Sequence, residues 1–258
     1  KGFEQPMFKG FYNLTSGMLS QGRKLDVISN NMTNVATTGF KSDRFMMSTF
    51  DQVLWSRVGN TDEAYSQIGE MSYITAPDDL VTNYSQASFD ETGLPLDFAI
   101  DGDGFFAIQA ADGTRSYTRA GIFSLDDDGY LCLPGQGQVL DENEEPIRLV
   151  TDKIKTDDYG SLYLENGGGF MGRIGVFTFQ DNSQLVKNAQ GMFGANGNQA
   201  TLTQTTVHNK MVERSNVDLV EQMAEMISSQ RAYQSAAQAA KIYDELISKA
   251  TTDVGRLA

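Results

Sequence analysis

The sequence predicts an α+β fold, with long N- and C-terminal α-helices forming a coiled-coil-like assembly domain and an inserted all-β domain. Three observations lead there. Apolar residues step by three and four at both ends of the chain. Short strand-like runs fill the middle, and Asp-Gly pairs punctuate them. With 258 residues and 40% hydrophobic content, the chain is long enough to bury a sizeable core.

At the N-terminal end the stripe is Phe11, Leu14, Met18, Gln21, Leu25, Ile28, Met32 and Val35. Only Gln21 is polar, so this is an a/d heptad seam on a helix over about residues 8–36. Gly17 and Gly22 lie inside it, each weakening a helix by about 1 kcal/mol relative to Ala. Such a helix is marginal alone and needs a partner. At the C-terminal end the same spacing runs through Leu219, Gln222, Met226, Ser229, Tyr233, Ala236, Ala240, Tyr243, Ile247, Ala250 and Val254. Asp218 followed by Glu221 resembles a capping box at its start. The contact residues expected on the two helices are Phe11, Leu14, Met18, Leu25, Ile28, Met32 and Val35 on the first, and Leu219, Met226, Tyr233, Ala236, Ala240, Tyr243 and Ile247 on the second.

Strand signals between the helices are short: LDFAI (96–100), GFFAIQA (104–110), RSYTR (115–119) and RIGVFTF (173–179) among them. AIQAADGTRSYT reads as a hairpin around Asp112-Gly113. The expected organisation is an N-terminal helix over 1–40 and a connector over 41–67, with a short helix from Phe45 to Trp55. A β-rich domain over 68–206 and a C-terminal helix over 207–258 follow.

Composition excludes several classes of function. The net charge of −14 is uneven: residues 1–44 are net +3, residues 217–258 net −2, and the stretch between them net −15. A strongly acidic body argues against nucleic acid and anionic membrane as partners. No run approaches the roughly 18 apolar residues of a membrane span. Residues 1–20 lack a basic start followed by an apolar block, so no secretory signal is expected. Cys132 is the one cysteine and His208 the one histidine, too few for a disulfide framework or a zinc site. Nothing near His208 reads as a nucleophile elbow. No catalytic residue, metal ligand or cofactor site is assigned, and the chain is not expected to be an enzyme. DGDGFF (101–106) and DDDGYL (126–131) look calcium-like, but their sixth residues are Phe106 and Leu131 where a calcium loop needs Gly. Turn chemistry explains them more simply. A calcium-binding extracellular β module and an acidic hydrolase with paired Asp are the rival readings. Three N-x-[ST] sequons begin at Asn13, Asn31 and Asn83, the first two inside the expected helix, and are read as chance.

The stretch NNMTNVATTGFK (30–41) ends the first helix. Asn and Thr compete with the helical backbone, and Gly39 offers a left-handed residue that closes a helix. Phe40 is expected to pack back on the helix end. LDVISNNMTNVATTGFKSDR (25–44) resembles the N-terminal signature of the flagellar basal-body rod and hook protein family, matching at Asn30, Asn31, Asn34, Thr38, Gly39, Phe40 and Lys41. Met32 and Thr33 depart mildly from the common Leu-Ala. LPLDFAIDGDGFFAIQAADGTRSYTRAGIFSLDDDGYL (94–131) resembles the family's central β motif, and ERSNVDLVEQMAEMISSQRAYQSAAQ (213–238) its C-terminal signature. The resemblance implies a structural subunit that polymerises through its terminal helices into a helical tube. Implied partners are copies of itself, other rod proteins, the hook, a surrounding ring bushing where the envelope has one, and the flagellar export apparatus. It also implies a place in the basal body beyond the inner membrane. Length and the single β domain resemble distal-rod members, with the proximal-rod paralogues next.

Overall fold

The computed structural model describes residues 6–49, 52–57, 66–72, 75–149, 151–165, 169–188 and 190–255. They form two compact units. One comprises residues 1–32, 43–81 and 219–258, the other residues 33–42 and 82–218.

The first unit holds both helices, α1 (Pro6–Thr33) and α2 (Leu219–Gly255). It also holds β1 (Asp43–Thr49), β2 (Gln52–Arg57), β3 (Ser66–Ser72) and β4 (Thr75–Thr82). β1 pairs with β4, and β2 pairs antiparallel with β3. The short helix expected from Phe45 to Trp55 is therefore wrong. RFMMST carries Phe45 and Thr49, QVLWSR carries Val53 and Trp55, residue types that favour strands, and each segment finds a strand partner. α1 stops at Thr33, three residues before its expected end. Asn34 and Thr37 take over there: the Thr37 N–H donates to the Asn34 carbonyl at 3.2 Å and its Oγ1 to Asn34 Oδ1 at 3.1 Å. Local side-chain bonds of this kind offer the backbone an alternative to the helix.

The fold class expected from the sequence needs correction. The described residues contain two α-helices against twenty strands, so the molecule is mainly β, and its helices do not form a coiled-coil domain. Both apolar core clusters consist of residues from the β-rich unit. Polar links between α1 and α2 include an amide pair and an ion pair. Asn31 Nδ2 donates to Gln222 Oε1 at 3.1 Å, and Lys24 lies 3.6 Å from Glu225. Of the heptad positions on α1 with described side chains, Ile28 alone is fully buried. The physical reason lies in the stripes themselves. Gln222, Ser229, Ala236 and Ala240 carry little apolar bulk on α2, and the α1 stripe is broken by Gln21. Two such faces cannot build a continuous set of knobs and holes.

The second unit is a β body. Its strands are β5 (Phe89–Glu91), β6 (Phe98–Asp101), β7 (Phe105–Gln109), β8 (Arg115–Thr118), β9 (Ser124–Leu125), β10 (Leu131–Leu133), β11 (Gly137–Val139) and β12 (Ile154–Thr156). They continue as β13 (Ser161–Leu164), β14 (Phe170–Arg173), β15 (Val176–Phe179), β16 (Val186–Lys187), β17 (Phe193–Gly194), β18 (Ala200–Leu202), β19 (Thr206–Asn209) and β20 (Met211–Glu213). β7 is the centre of the largest sheet and pairs with β8, β11 and β15. Its alternate side chains serve two cores. Phe106 and Ile108 join one cluster, while Phe105 and Ala107 join the other. A strand buried on both faces reads as a continuous apolar run, which is why GFFAIQA does not alternate. The hairpin expected at Asp112-Gly113 is present, with Gln109 opposite Arg115 and Gly113 at φ +84°.

One turn recurs four times in the β body, and of the two acidic runs the one over 126–131 uses it. The side-chain oxygens of Asp126, Asp141, Asp157 and Asn188 each accept backbone N–H groups from residues two and four positions on, at 2.6–3.1 Å. The fourth residue of each turn has positive φ: Gly129, Glu144, Gly160 and Gly191. These carboxylates hold the backbone of hairpin loops. Burial alone would raise Asp157, but the N–H groups of Ser161 and Tyr159 more than offset it and bring its carboxyl below the ordinary value. The folded value is the lower one, so its contribution to stability is complete above about pH 4 and is lost as pH falls through the depressed value. Asp157→Asn keeps the acceptor oxygen that Asn188 uses in the same role. It should flatten the acid limb of a stability-versus-pH curve measured by urea unfolding. An unchanged acid limb would show that Asp157 does not carry it.

Candidate functional site

The three sequence motifs converge within the β body. The segment 33–42 runs into it as a strap. Gly39 donates its N–H to the Glu213 carbonyl at 2.8 Å, and Ser42 donates its N–H to Asn216 Oδ1 at 2.7 Å. The Ser42 carbonyl accepts from the Asn83 N–H at 2.8 Å. Asn216 uses its amide nitrogen on the carbonyl oxygens of Asn83 at 2.7 Å and Ser85 at 3.2 Å. One Asn thus ties the strap to the stretch that leads into β5.

Gly39 has the left-handed φ expected of it, +67°, but α1 ends earlier, at Thr33, so Gly39 is not the residue that closes the helix. Its more demanding role is close approach. A Cβ at this position would lie 2.3 Å from the Arg119 carbonyl carbon and 2.3 Å from the Ala120 nitrogen. Only glycine lets the two backbones meet. Phe40 is buried in the β body, with the Lys187 ammonium 3.8 Å from its ring centre. Lys187 also donates to the Lys41 carbonyl at 2.7 Å, so it clamps the strap from the far side.

Lys41 enters the interior and is 1% exposed. Its ammonium donates to Glu213 Oε1 at 2.7 Å and to the Ser85 carbonyl at 2.8 Å. Glu213, also 1% exposed, accepts the Ala87 N–H on the same oxygen at 2.9 Å. Its Oε2 lies 3.3 Å from Arg119 Nη1. Arg119 is 3% exposed, donates through Nη2 to the Gly102 carbonyl at 2.7 Å, and stands over the Phe105 ring. Burial lowers both cations from their ordinary values, while the Glu213 carboxylate and the charge of Asp103 pull the other way. The cluster therefore holds two cations and one anion in the interior. Among described atoms, Arg119 Nε is buried with no partner.

The other expected positions are more dispersed. Asn31 is buried and brackets β1: its Nδ2 donates to the Asp43 carbonyl at 2.8 Å and its Oδ1 accepts the Asp43 N–H at 3.0 Å. Asn30 is exposed, and Asn34 and Thr38 are half-buried. On α1, Leu14, Met18, Leu25 and Met32 are half-buried, and Val35 is half-buried in the turn beyond the helix. The side chain of Phe11 lies outside the described residues, as do those of Ala250 and Val254. On α2, Leu219 and Tyr233 are exposed, and Met226, Ala236, Ala240, Tyr243 and Ile247 are half-buried. Val220, Met223, Ile227, Ile242 and Leu246 are exposed on the same helix. His208 Nε2 sits 3.3 Å from Asp101 Oδ2, beside Phe89. Sequence reading quoted the stretches containing Arg119 and Glu213 but gave neither a role.

The chain was compared with known proteins. A flagellar basal body rod protein model matches residues 11–41, a flagellar hook protein FlgE/F/G D1 domain model matches 99–158, and a flagellar basal body rod FlgEFG protein C-terminal model matches 208–253. The chain is 32% identical over 260 residues to the flagellar basal-body rod protein FlgG of Bacillus subtilis, covering 93% of this chain and 97% of that protein. The chain belongs to the flagellar basal-body rod protein family. It is also 29% identical to the rod protein FlgF of Caulobacter vibrioides, over 97% of this chain and all of that protein. A third relative is the flagellar hook-basal body complex protein FlhO of Bacillus subtilis, at 26% identity over 97% of this chain. The buried cluster acquires a meaning from these matches. Lys41, Arg119 and Glu213 fall one in each of the three segments matched by rod-family models.

Gly39→Ala should weaken docking of the strap by roughly 100-fold, the rate equivalent of about 3 kcal/mol for overpacking plus left-handed strain. Tryptic cleavage after the buried Lys41 measures this directly. Cleavage as slow as in the unaltered chain would contradict the close fit.

Proposed function

We propose that this rod-family chain is a structural subunit of the distal rod of the bacterial flagellum and that it assembles through α1 and α2. It performs no catalysis in this reading. The observation that carries the reading is the near full-length similarity to rod proteins, 93% of the chain at 32% identity to a FlgG. The exposure of α2 supports the part played by the helices. Val220 is 77% exposed and Leu246 61%, and burying such side chains against other subunits is favourable at about 25 cal/mol per Å² of apolar area.

Neighbours in this reading are further copies of the chain, other rod proteins and the hook. A ring bushing around the rod and the export apparatus that delivers it complete the set. A head-to-tail contact that does not close generates an open helical filament, the shape a rod requires. The proximal-rod paralogue is the second reading, favoured by the FlgF relative that aligns over its whole length.

Truncation of residues 1–36 should abolish incorporation into rods and swimming, while the β body keeps its circular dichroism spectrum. Ile28→Asp, which puts a charge at a position 2% exposed, should have the same effect on assembly. Motility assays and electron microscopy of basal bodies provide the readouts. Rods of normal length built from the truncated chain would refute the proposal.

A further inference from the structure

The buried cluster has a charge count that separates the strap from its receptor. The receptor, without the strap, contains Arg119 and Glu213, one cation and one anion 3.3 Å apart. Glu213 there still accepts the Ala87 N–H, and Arg119 still donates to the Gly102 carbonyl. The receptor is therefore charge-balanced and internally bonded on its own. Lys41 is the surplus charge. It arrives with the strap, is desolvated, and shares a carboxylate that Arg119 already uses. Burying an ion costs several kcal/mol even when it finds a partner.

The rest of the strap is held by few groups. Those groups are polar: the Gly39 N–H, the Ser42 N–H and carbonyl, the Phe40 carbonyl, which accepts the Asn216 N–H at 3.3 Å, and the Lys41 carbonyl, which accepts from Lys187. Phe40 is its one large buried apolar side chain. By contrast, the two core clusters that hold the body together contain no residue of the strap.

We infer that Thr33–Ser42 is a releasable strap. It docks in cis into a preformed receptor on the β body, with Glu213 as the countercharge that admits Lys41 and a body that keeps its fold when the strap leaves. The occupant is this chain's own segment, because its glycine fits the Arg119–Ala120 backbone and its lysine fits the carboxylate. This stands apart from the rod reading, which incorporation and motility decide.

Amide hydrogen exchange on the full-length soluble chain tests it. In the unaltered protein, Gly39 and Ser42 should exchange through a sub-global opening, well before Phe106 and Ile108 in β7. Glu213→Gln leaves two buried cations without an anion, so Gly39 and Ser42 should exchange about 100-fold faster while Phe106 and Ile108 change by less than about threefold. Adding Lys41→Met to that variant removes the surplus cation and should recover at least about tenfold of the lost protection. A strap that stays protected in Glu213→Gln overturns the proposal. So does equal acceleration of strap and core, or the absence of recovery in the double variant. If Glu213→Gln does not fold, the unaltered chain decides: common exchange of strap and core through one global opening overturns the inference.

Discussion

One carboxylate organises the β body where the chain's two ends enter and leave it. Glu213 accepts Lys41 and the Ala87 N–H on one oxygen and Arg119 on the other. Each of these groups comes from a different stretch of chain, and they lie up to 172 residues apart. The interaction sets where the strap after α1 must lie, and it occurs just before the chain departs into α2. Gly39, Ser42, Asn83 and Asn216 arrange their hydrogen bonds around the same point.

Such a cluster is weak evidence for stability as such. Buried ion pairs often contribute little net free energy against an apolar replacement, yet breaking one by removing a single partner costs about 3–5 kcal/mol. The consequence is specificity of docking. An apolar segment of similar bulk would tolerate several registers, whereas an ammonium group with one available carboxylate tolerates one. The strap register in turn fixes the residue at which α1 hands the chain to the body.

Much of this was legible in the sequence, and the parts that were not have identifiable causes. The heptad steps found both helices because an apolar period of 3.6 is a local signal. They did not reveal what the helices pack against, since a stripe for intermolecular contact has the same spacing as one for an intramolecular seam. Val220, Ile227 and Leu246 are apolar and exposed on α2, so the chain by itself leaves part of that helix's apolar surface in solvent. Gly39 was legible as a left-handed residue, but its contact with Arg119 and Ala120 was not, because no local pattern encodes an approach across 80 residues. The same holds for the ion cluster. A Lys after Gly-Phe, an Arg after Tyr-Thr and a Glu before Arg-Ser each look like surface charges until the sheet brings them together. The run over 126–131 is turn chemistry as the sequence suggests, Asp126 accepting from residues two and four positions on, whereas in the run over 101–106 Asp101 ends β6 and lies 3.3 Å from His208.

The central claim is that the three rod-family segments are joined through Glu213 within each subunit. A density map of the assembled rod at side-chain resolution tests this most directly. The expected result is Lys41 Nζ at hydrogen-bonding distance from Glu213 of its own subunit, with Arg119 on the second oxygen and Gly39 against the Arg119–Ala120 backbone. Lys41 in solvent, or paired with an acidic residue of a neighbouring subunit, would contradict it.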